Sequence, residues 1–136
     1  MKIVLVLRTD LPPALAANAA AVLGLALGGR LEDSVAADSA DASGTLHAGL
    51  NPVPVPTLVA SGAELHALHE QAQAAADVTV VGFNEVARRS RTYPEYEQAL
   101  SQTAAQDVDY VGLIVHGPRN RVTKLTKRLA LMGVGG

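Results

Sequence analysis

The chain has 136 residues, no cysteine and a formal net charge of −2. This length predicts a single domain over residues 1–136, and the lack of cysteine excludes disulfides, thiolate metal sites and thiol nucleophiles and fits a reducing cytoplasm. The charge is uneven, because residues 1–77 hold 3 basic and 8 acidic residues and residues 78–136 hold 8 basic and 5 acidic residues, so an anionic ligand is expected to meet the second half.

The first part of the chain predicts a buried strand followed by an apolar helix. Residues 2–8 are β-rich with little polar interruption, as in a strand covered on both faces. Asp10 is expected to cap a helix over residues 14–27, which is apolar nearly all round. We therefore expect both the sheet and a further helix or a second subunit to cover this helix, which predicts a homodimer. The helix is too weakly hydrophobic to span a membrane, so no membrane partner is expected.

The middle of the chain predicts a long irregular connection and a capped helix. Residues 30–56 show no sustained period, with short strands expected near Leu31 and Leu46. Three alternating prolines at the end of this connection favour an extended segment. Ser61 and Glu64 fit a capping box at the start of a helix over residues 62–76.

The last part of the chain predicts two further strands and their helices. Strands are expected over residues 78–83 and 108–116, with a polar loop or short helix over residues 84–92 and a helix over residues 94–103 between them. A basic helix should follow Gly117 and Pro118 and continue to Arg128.

This alternation of strands and helices predicts an α/β fold with a small, mostly parallel or mixed sheet of about four strands flanked by helices. The strands near the two ends of the chain are expected to lie side by side. The turns that follow Leu7 and Val115 are therefore expected to converge on one hollow.

Two segments resemble the type II peptidyl-tRNA hydrolases. They are Val4 to Leu11 with Ala16-Ala17-Asn18-Ala19, and Gly117-Pro118 with Val122, Lys124-Leu125-Thr126, Leu129 and Leu131. The resemblance implies a peptidyl-tRNA hydrolase II-like fold. It does not imply the activity, because Pro12 to Leu15 replace a Gly- and Lys-rich turn of that family. Its Asp-Ala-Gly-x-Thr motif is also missing from residues 84–93.

The chain is also similar to a bacterial family of unknown function that shares this fold. The similar features are Asn18, the polar loop from Asp41 to His47, the Pro-Val-Pro strand, the helix that starts at Thr92-Tyr93 and the run from Val122 to Thr126. Residues 127–132 depart from the Gly and Pro-Leu-Leu ending expected of that family.

Seven polar residues are candidates for ligand binding. Arg8 and Asp10 follow the first strand, where ligands of open α/β sheets gather, although a helix cap and its surface partner are the more common explanation for such residues. Asn18 either bonds to neighbouring backbone or faces a cleft. His47 stands beside carboxylates in a loop and can exchange protons near neutral pH.

The remaining candidates are Asn84, His116 and Arg119, which follow the second and third strands. The turn from His116 to Arg121 joins a strand end to a helix N-terminus, which suits an anion, although a solvated basic helix is the alternative. No aromatic residues accompany the arginines, so nucleic-acid binding is not expected. His66 and His69 lack a carboxylate that would complete a metal signature, and neither a metal nor a cofactor is expected.

Three functions are compatible with these features. The first is a module that binds a small, anionic ligand in a cleft formed by Arg8, Asn18, His47, Asn84 and His116. The second is a diverged hydrolase that acts on an ester or on peptidyl-tRNA. The third is a dimeric scaffold without catalysis.

Overall fold

The computed structural model describes residues 1–133. The helices and strands are, in chain order, β1 (Lys2–Arg8), α1 (Pro13–Gly28), β2 (Ser39–Ala40), β3 (Leu46–His47), β4 (Thr57–Ala60), α2 (Gly62–Ala74), β5 (Thr79–Asn84), α3 (Glu85–Arg89), α4 (Tyr93–Ser101), β6 (Tyr110–Gly117), α5 (Arg119–Thr126) and β7 (Ala130–Leu131). One turn of 3-10 helix precedes β6.

The main sheet has five strands in the order β5-β6-β1-β4-β7 and is mixed. Only the β1–β4 pair is parallel, and the other three pairs are antiparallel. The expectation of a mainly parallel sheet is therefore wrong, and its mixed alternative is observed. The fifth strand is β7, in a segment where the sequence predicts only the end of a helix.

The central strands are buried on both faces, which explains why their sequences resemble those of parallel strands. Alternate residues of β1 face opposite layers. Ile3, Leu5 and Leu7 pack with α1, whereas Val4 and Val6 pack with side chains of α2 and α5. A continuous apolar run thus indicates that helices cover both faces of the strand. It does not indicate whether the strand is parallel or antiparallel to its neighbours.

Local signals fix several helix starts. The Ser61 hydroxyl accepts the Glu64 N–H, and the Glu64 carboxylate accepts the Ser61 N–H, as the capping box predicts. Asp10 does not cap α1. Its φ is +65°, and the position before the helix is held by Pro12 without any side-chain cap. The reason is that Pro12 occupies the N-cap position, so Asp10 lies outside the position from which a side chain can accept the N2 or N3 N–H.

The connection from α1 to β4 carries a two-stranded ribbon, here called the β-arm (residues 36–50). In it Ser39 pairs with His47 and Ala40 with Leu46. The strand expected near Leu46 is confirmed, whereas the strand expected near Leu31 is wrong, since that residue lies in a bend. Every residue from 35 to 48 is exposed, so the β-arm projects from the rest of the molecule.

Candidate functional site

The antiparallel pairing of β1 and β6 separates the predicted site residues. Lys2 lies opposite Gly117, and Leu7 lies opposite Gly112. The turn after β1 is therefore at one end of the sheet, and the turn after β6 is at the other. The expectation that these two turns converge on one hollow is wrong, because it required parallel strands.

The end of the sheet that follows β1 and β5 holds a network of ion pairs around Glu85. One Arg8 Nη lies 3.0 Å from Glu85 Oε1, and Arg88 Nε lies 2.7 Å from Glu85 Oε2. The second Arg8 Nη donates to the Tyr110 carbonyl oxygen and lies 3.5 Å from Asp109 Oδ1. The charged and hydrogen-bonding groups of this network are therefore paired largely with one another.

Glu85 is the buried member of this network, with a side chain that is 9% exposed. Burial by itself would raise the pKa of Glu85. The hydrogen bonds from Arg88 and Arg8 and their positive charges outweigh that effect, so the pKa is lowered. The carboxylate is thus ionised at neutral pH and bound by arginines, which does not suit it to be a general base.

Asn84 is also at this end of the sheet and has a local role. Its side-chain oxygen accepts the Ala87 N–H at 2.9 Å, which caps α3. The residue is buried. Arg8 and Asn84 are thus close in the structure, and both are engaged in contacts within the chain.

The opposite end of the sheet carries a cavity of about 460 Å³ between α1, the sheet and the connection to β4. This volume lies in the usual range for small-molecule sites. The apolar wall includes Ile3, Leu27, Leu31, Val53, Val55 and Ile114. The polar lining residues are Glu32, Asp33, Ser34, Asn51 and His116.

His116 is the polar side chain that the sheet itself contributes to this cavity. It lies two residues after Ile114, on the same face of β6, and opposite Ile3 of β1. Within residues 1–133 its ring forms no side-chain hydrogen bond, whereas the Asn51 side chain is bound to the backbone of Val53. Partial burial, and then the positive charge of the amino terminus, lower the pKa of His116, so the ring is neutral at pH 7.

Two glycines of α1 make room for the cavity. Gly24 and Gly28 stand four residues apart on the helix face that lines it. A Cβ added at Gly24 would meet no neighbouring atom within 4 Å, and one at Gly28 would only touch the Ser34 hydroxyl oxygen at 3.9 Å. Glycine inside a helix costs up to about 1 kcal/mol relative to alanine, so Gly24 keeps space at the expense of stability, whereas Gly28 is the last residue of α1.

Three predicted site residues lie outside both the ion-pair network around Glu85 and the cavity at His116. His47 is exposed on the β-arm, where its Nε2 is 2.9 Å from Asp41 Oδ2. This hydrogen bond, followed by those from the Thr45 and Ser43 N–H groups, lowers the pKa of Asp41. Asn18 lies on the exposed face of α1, and Arg119 is exposed at the start of α5. The structure thus does not join Arg8, Asn18, His47, Asn84 and His116 into one cleft.

The paired histidines of α2 have a packing role. The ring of His69 stacks on Tyr110 with centroids 4.7 Å apart, and the His66 Nε2 lies 3.0 Å from the Ala105 carbonyl oxygen. Burial, and then the nearby His66, lower the pKa of His69. Among residues 1–133, no three metal-ligating side chains are grouped to hold an ion.

Sequence reasoning missed several residues that shape these two places. Glu85 gives no signal by itself, because one acidic residue in a polar stretch is ordinarily exposed. Gly24 does give a signal, since a glycine inside a helix needs a reason, whereas Gly28 is explained by the end of the helix. The lining residues Val53 and Val55 lie in a connection without a period, so their place at the cavity could not be predicted.

Comparisons with known proteins give a family and a fold. A family model described as "Protein of unknown function (DUF2000)" matches residues 1–133. The chain is similar to the solved structure of a protein of unknown function from Agrobacterium tumefaciens, with 21% identity, a TM-score of 0.86 and 97% of each chain covered. A search of curated proteins finds no significant match. None of the helices in the described part of the chain has the length and apolarity to cross a membrane.

Proposed function

Since the chain belongs to the DUF2000 family of unknown function, we propose that it is a small-ligand-binding domain whose site is the cavity at His116. The observation that carries this proposal is a neutral imidazole that has no side-chain partner among residues 1–133 and lies in the wall of an otherwise mostly apolar cavity. Ligand sites typically combine such an apolar lining with a few polar groups that orient the ligand. The space left by Gly24 and Gly28 supports the same proposal.

The cavity favours a ligand that is mostly apolar with one hydrogen-bonding group. The hydrocarbon part would lie against Leu27, Val53 and Ile114, and the polar group would meet the His116 ring. An anionic group, as the sequence suggests, is the narrower form of the proposal. The amino terminus near His116 would attract a carboxylate, whereas Glu32 and Asp33 would repel it.

The kinship with type II peptidyl-tRNA hydrolases stays part of the proposal, and it rests on the residue resemblance. A hydrolase activity is less well supported. The segment that replaces the family motif holds Glu85, and its carboxylate is bound by Arg8 and Arg88. A cytoplasmic location is likewise proposed, because a cysteine-free chain is suited to a reducing compartment.

Binding of matched probes tests the proposed site. We expect octanoate and 1-octanol to displace the apolar dye anilinonaphthalene sulfonate from the protein, as measured by the loss of dye fluorescence. In Gly24→Leu the leucine side chain should fill the cavity, so octanoate and 1-octanol should no longer displace the dye. His116→Leu keeps the apolar volume but loses the hydrogen bond, which should weaken binding about tenfold.

Ala17→Leu is the matched control, because Ala17 lies on α1 but outside the cavity lining. It should bind both probes as the unaltered protein does. The proposal fails if Gly24→Leu binds the probes as well as Ala17→Leu does. Tighter binding of octanoate than of 1-octanol supports the anionic form, and the reverse order refutes that form alone.

A further inference from the structure

The β-arm is a ribbon whose shape is set by its own polar groups. Asp41 Oδ1 accepts the N–H groups of Ser43 and Thr45, at 2.9 and 3.1 Å. At the base of the ribbon the Ala36 N–H donates to the Leu50 carbonyl at 2.8 Å. Gly49 packs so closely beneath Ala36 that a Cβ would lie 1.6 Å from the Ala36 carbonyl oxygen. The conformation is therefore specified, although the ribbon buries little against its own chain.

The β-arm also exposes large apolar side chains. Leu46 is 69% exposed and Leu50 is 79% exposed. An isolated two-stranded ribbon is at best marginally stable in water, and packing against another surface is what stabilises it. Each of its strands is hydrogen-bonded on one side only, so the ribbon can still pair with a further strand.

A surface of complementary character lies at the β7 edge of the main sheet. Strand β7 pairs with β4 on one side and ends the sheet on the other. Leu131 and Met132 are 50% and 45% exposed there, and Lys127 and Arg128 are exposed just before the strand. Among residues 1–133, neither of these two cations forms an ion pair. The free edge of a sheet presents unpaired backbone N–H and C=O groups, with which a strand from a partner can pair.

The two surfaces match in charge as well as in apolar content. The β-arm carries no Lys or Arg and two carboxylates, Asp38 and Asp41, which also accept hydrogen bonds within the arm, and its base is preceded by Glu32 and Asp33. The β7 edge carries Lys127 and Arg128. Because the acidic β-arm and the basic β7 edge both occur on this chain, a second copy of the chain is the partner that fits both surfaces. Such complementarity favours specific encounter between the two surfaces.

We propose that two copies of this chain associate by reciprocal exchange, with the β-arm of each copy docked along the β7 edge of the other. The β7 edge pairs with β4, and the β-arm precedes β4 in the chain. Met132 donates its N–H to the Thr57 carbonyl, and the β-arm ends shortly before Thr57. A two-fold axis near this end of β4 therefore lets both contacts form at once, which closes the assembly as a dimer.

Sedimentation equilibrium of the full chain tests this assembly. The unaltered protein should have twice the 14.0 kDa mass of one chain, with a dissociation constant that rises with salt. Leu46→Ser combined with Leu50→Ser should raise that constant by more than about tenfold, because apolar burial is lost. Lys127→Glu combined with Arg128→Glu should do the same without altering the β-arm.

Leu25→Ser is the matched control, because Leu25 is also 79% exposed but lies on α1. It should leave the dimer intact. Mixing the β-arm variant with the β7-edge variant should restore association, since one unaltered arm then meets one unaltered edge.

A monomeric unaltered protein overturns the proposal. So does a dimer that persists in both double variants, a dimer that Leu25→Ser dissociates, or a mixture that stays monomeric. None of these variants changes a residue that lines the cavity at His116, so ligand binding can succeed or fail independently of dimerisation.

Discussion

The two ends of strands β1 and β6 differ in how their polar groups are used. At the Arg8 end, two arginines and a buried glutamate bind one another, and Asn84 caps a helix. At the His116 end, one neutral imidazole faces a mostly apolar cavity and has no side-chain partner in the described part of the chain. The end with more charge has fewer groups left to bind anything else. Charged residues at strand ends are therefore a poor guide to a ligand site unless their partners are known.

The largest expected effect comes from Glu85→Ala, which would leave Arg8 and Arg88 without their shared carboxylate. We expect the free energy of unfolding to fall by about 2 kcal/mol, below the value for a fully buried pair because both arginines reach solvent. Urea denaturation monitored by circular dichroism measures this change. Glu97→Ala, an exposed residue on α4, serves as the control and should change stability little. Equal effects of the two substitutions would show that the network is not stabilising.

The same network predicts a dependence on pH. The pKa of Glu85 is lower in the folded protein than its ordinary value of 4.5. Its stabilising contribution is therefore complete above that ordinary value and is lost as the pH falls through the folded pKa. The difference in stability between the unaltered protein and Glu85→Gln should shrink on acidification from pH 7 to below about 4.

A smaller effect of opposite sign is expected at the cavity end. Gly24→Ala should raise the free energy of unfolding by about 0.5 to 1 kcal/mol, because alanine is favoured inside a helix and its Cβ meets open space. The same change should weaken binding of octanol. Thermal unfolding and dye displacement, measured on one preparation, check both outcomes. If Gly24→Ala is more stable but binds octanol as tightly as the unaltered protein does, Gly24 does not belong to the ligand site.

The smallest effect concerns protonation of His116. Burial and the amino terminus lower its pKa in the folded protein, so below the ordinary value of 6.5 the unfolded chain takes up more protons. Stability should therefore fall as the pH drops below 6.5, with a slope under about 1.4 kcal/mol per pH unit for this group. His69 adds a similar contribution. His116→Leu should reduce the slope, and an unchanged slope in urea titrations would contradict the assigned burial.

Much of the secondary structure could be predicted from the sequence, because its signals are local. The strand over residues 2–8 and the capping box at Ser61 and Glu64 depend on neighbours in the chain. Strand direction was not predictable, because a run buried on both faces fits either orientation. Strand β7 was missed for a related reason. Two residues on a sheet edge carry no period of their own.

The candidate site was less predictable than the fold. His116 was selected for its place after a strand, and it does line the cavity. The rest of that wall comes from α1 and from Val53 and Val55, which approach it through the connection of residues 29–56. Such a connection has no hydrophobic period, so tertiary contacts decide which of its residues line the cavity. The other selected residues lie elsewhere, since their grouping assumed strands that run in one direction.

The order of strands in the main sheet has a consequence for how the chain acquires its structure. Strand β6 lies between β1 and β5, and Lys2 pairs with Gly117. During synthesis β1 can pair with β4 early. The other edge of β1 can pair only after β6 has been synthesised. Sheets with such distant pairings form slowly. A nascent chain that stalls before β6 would thus present one free edge of β1 and the whole of the apolar strand β5, which makes chaperone protection most valuable at that stage.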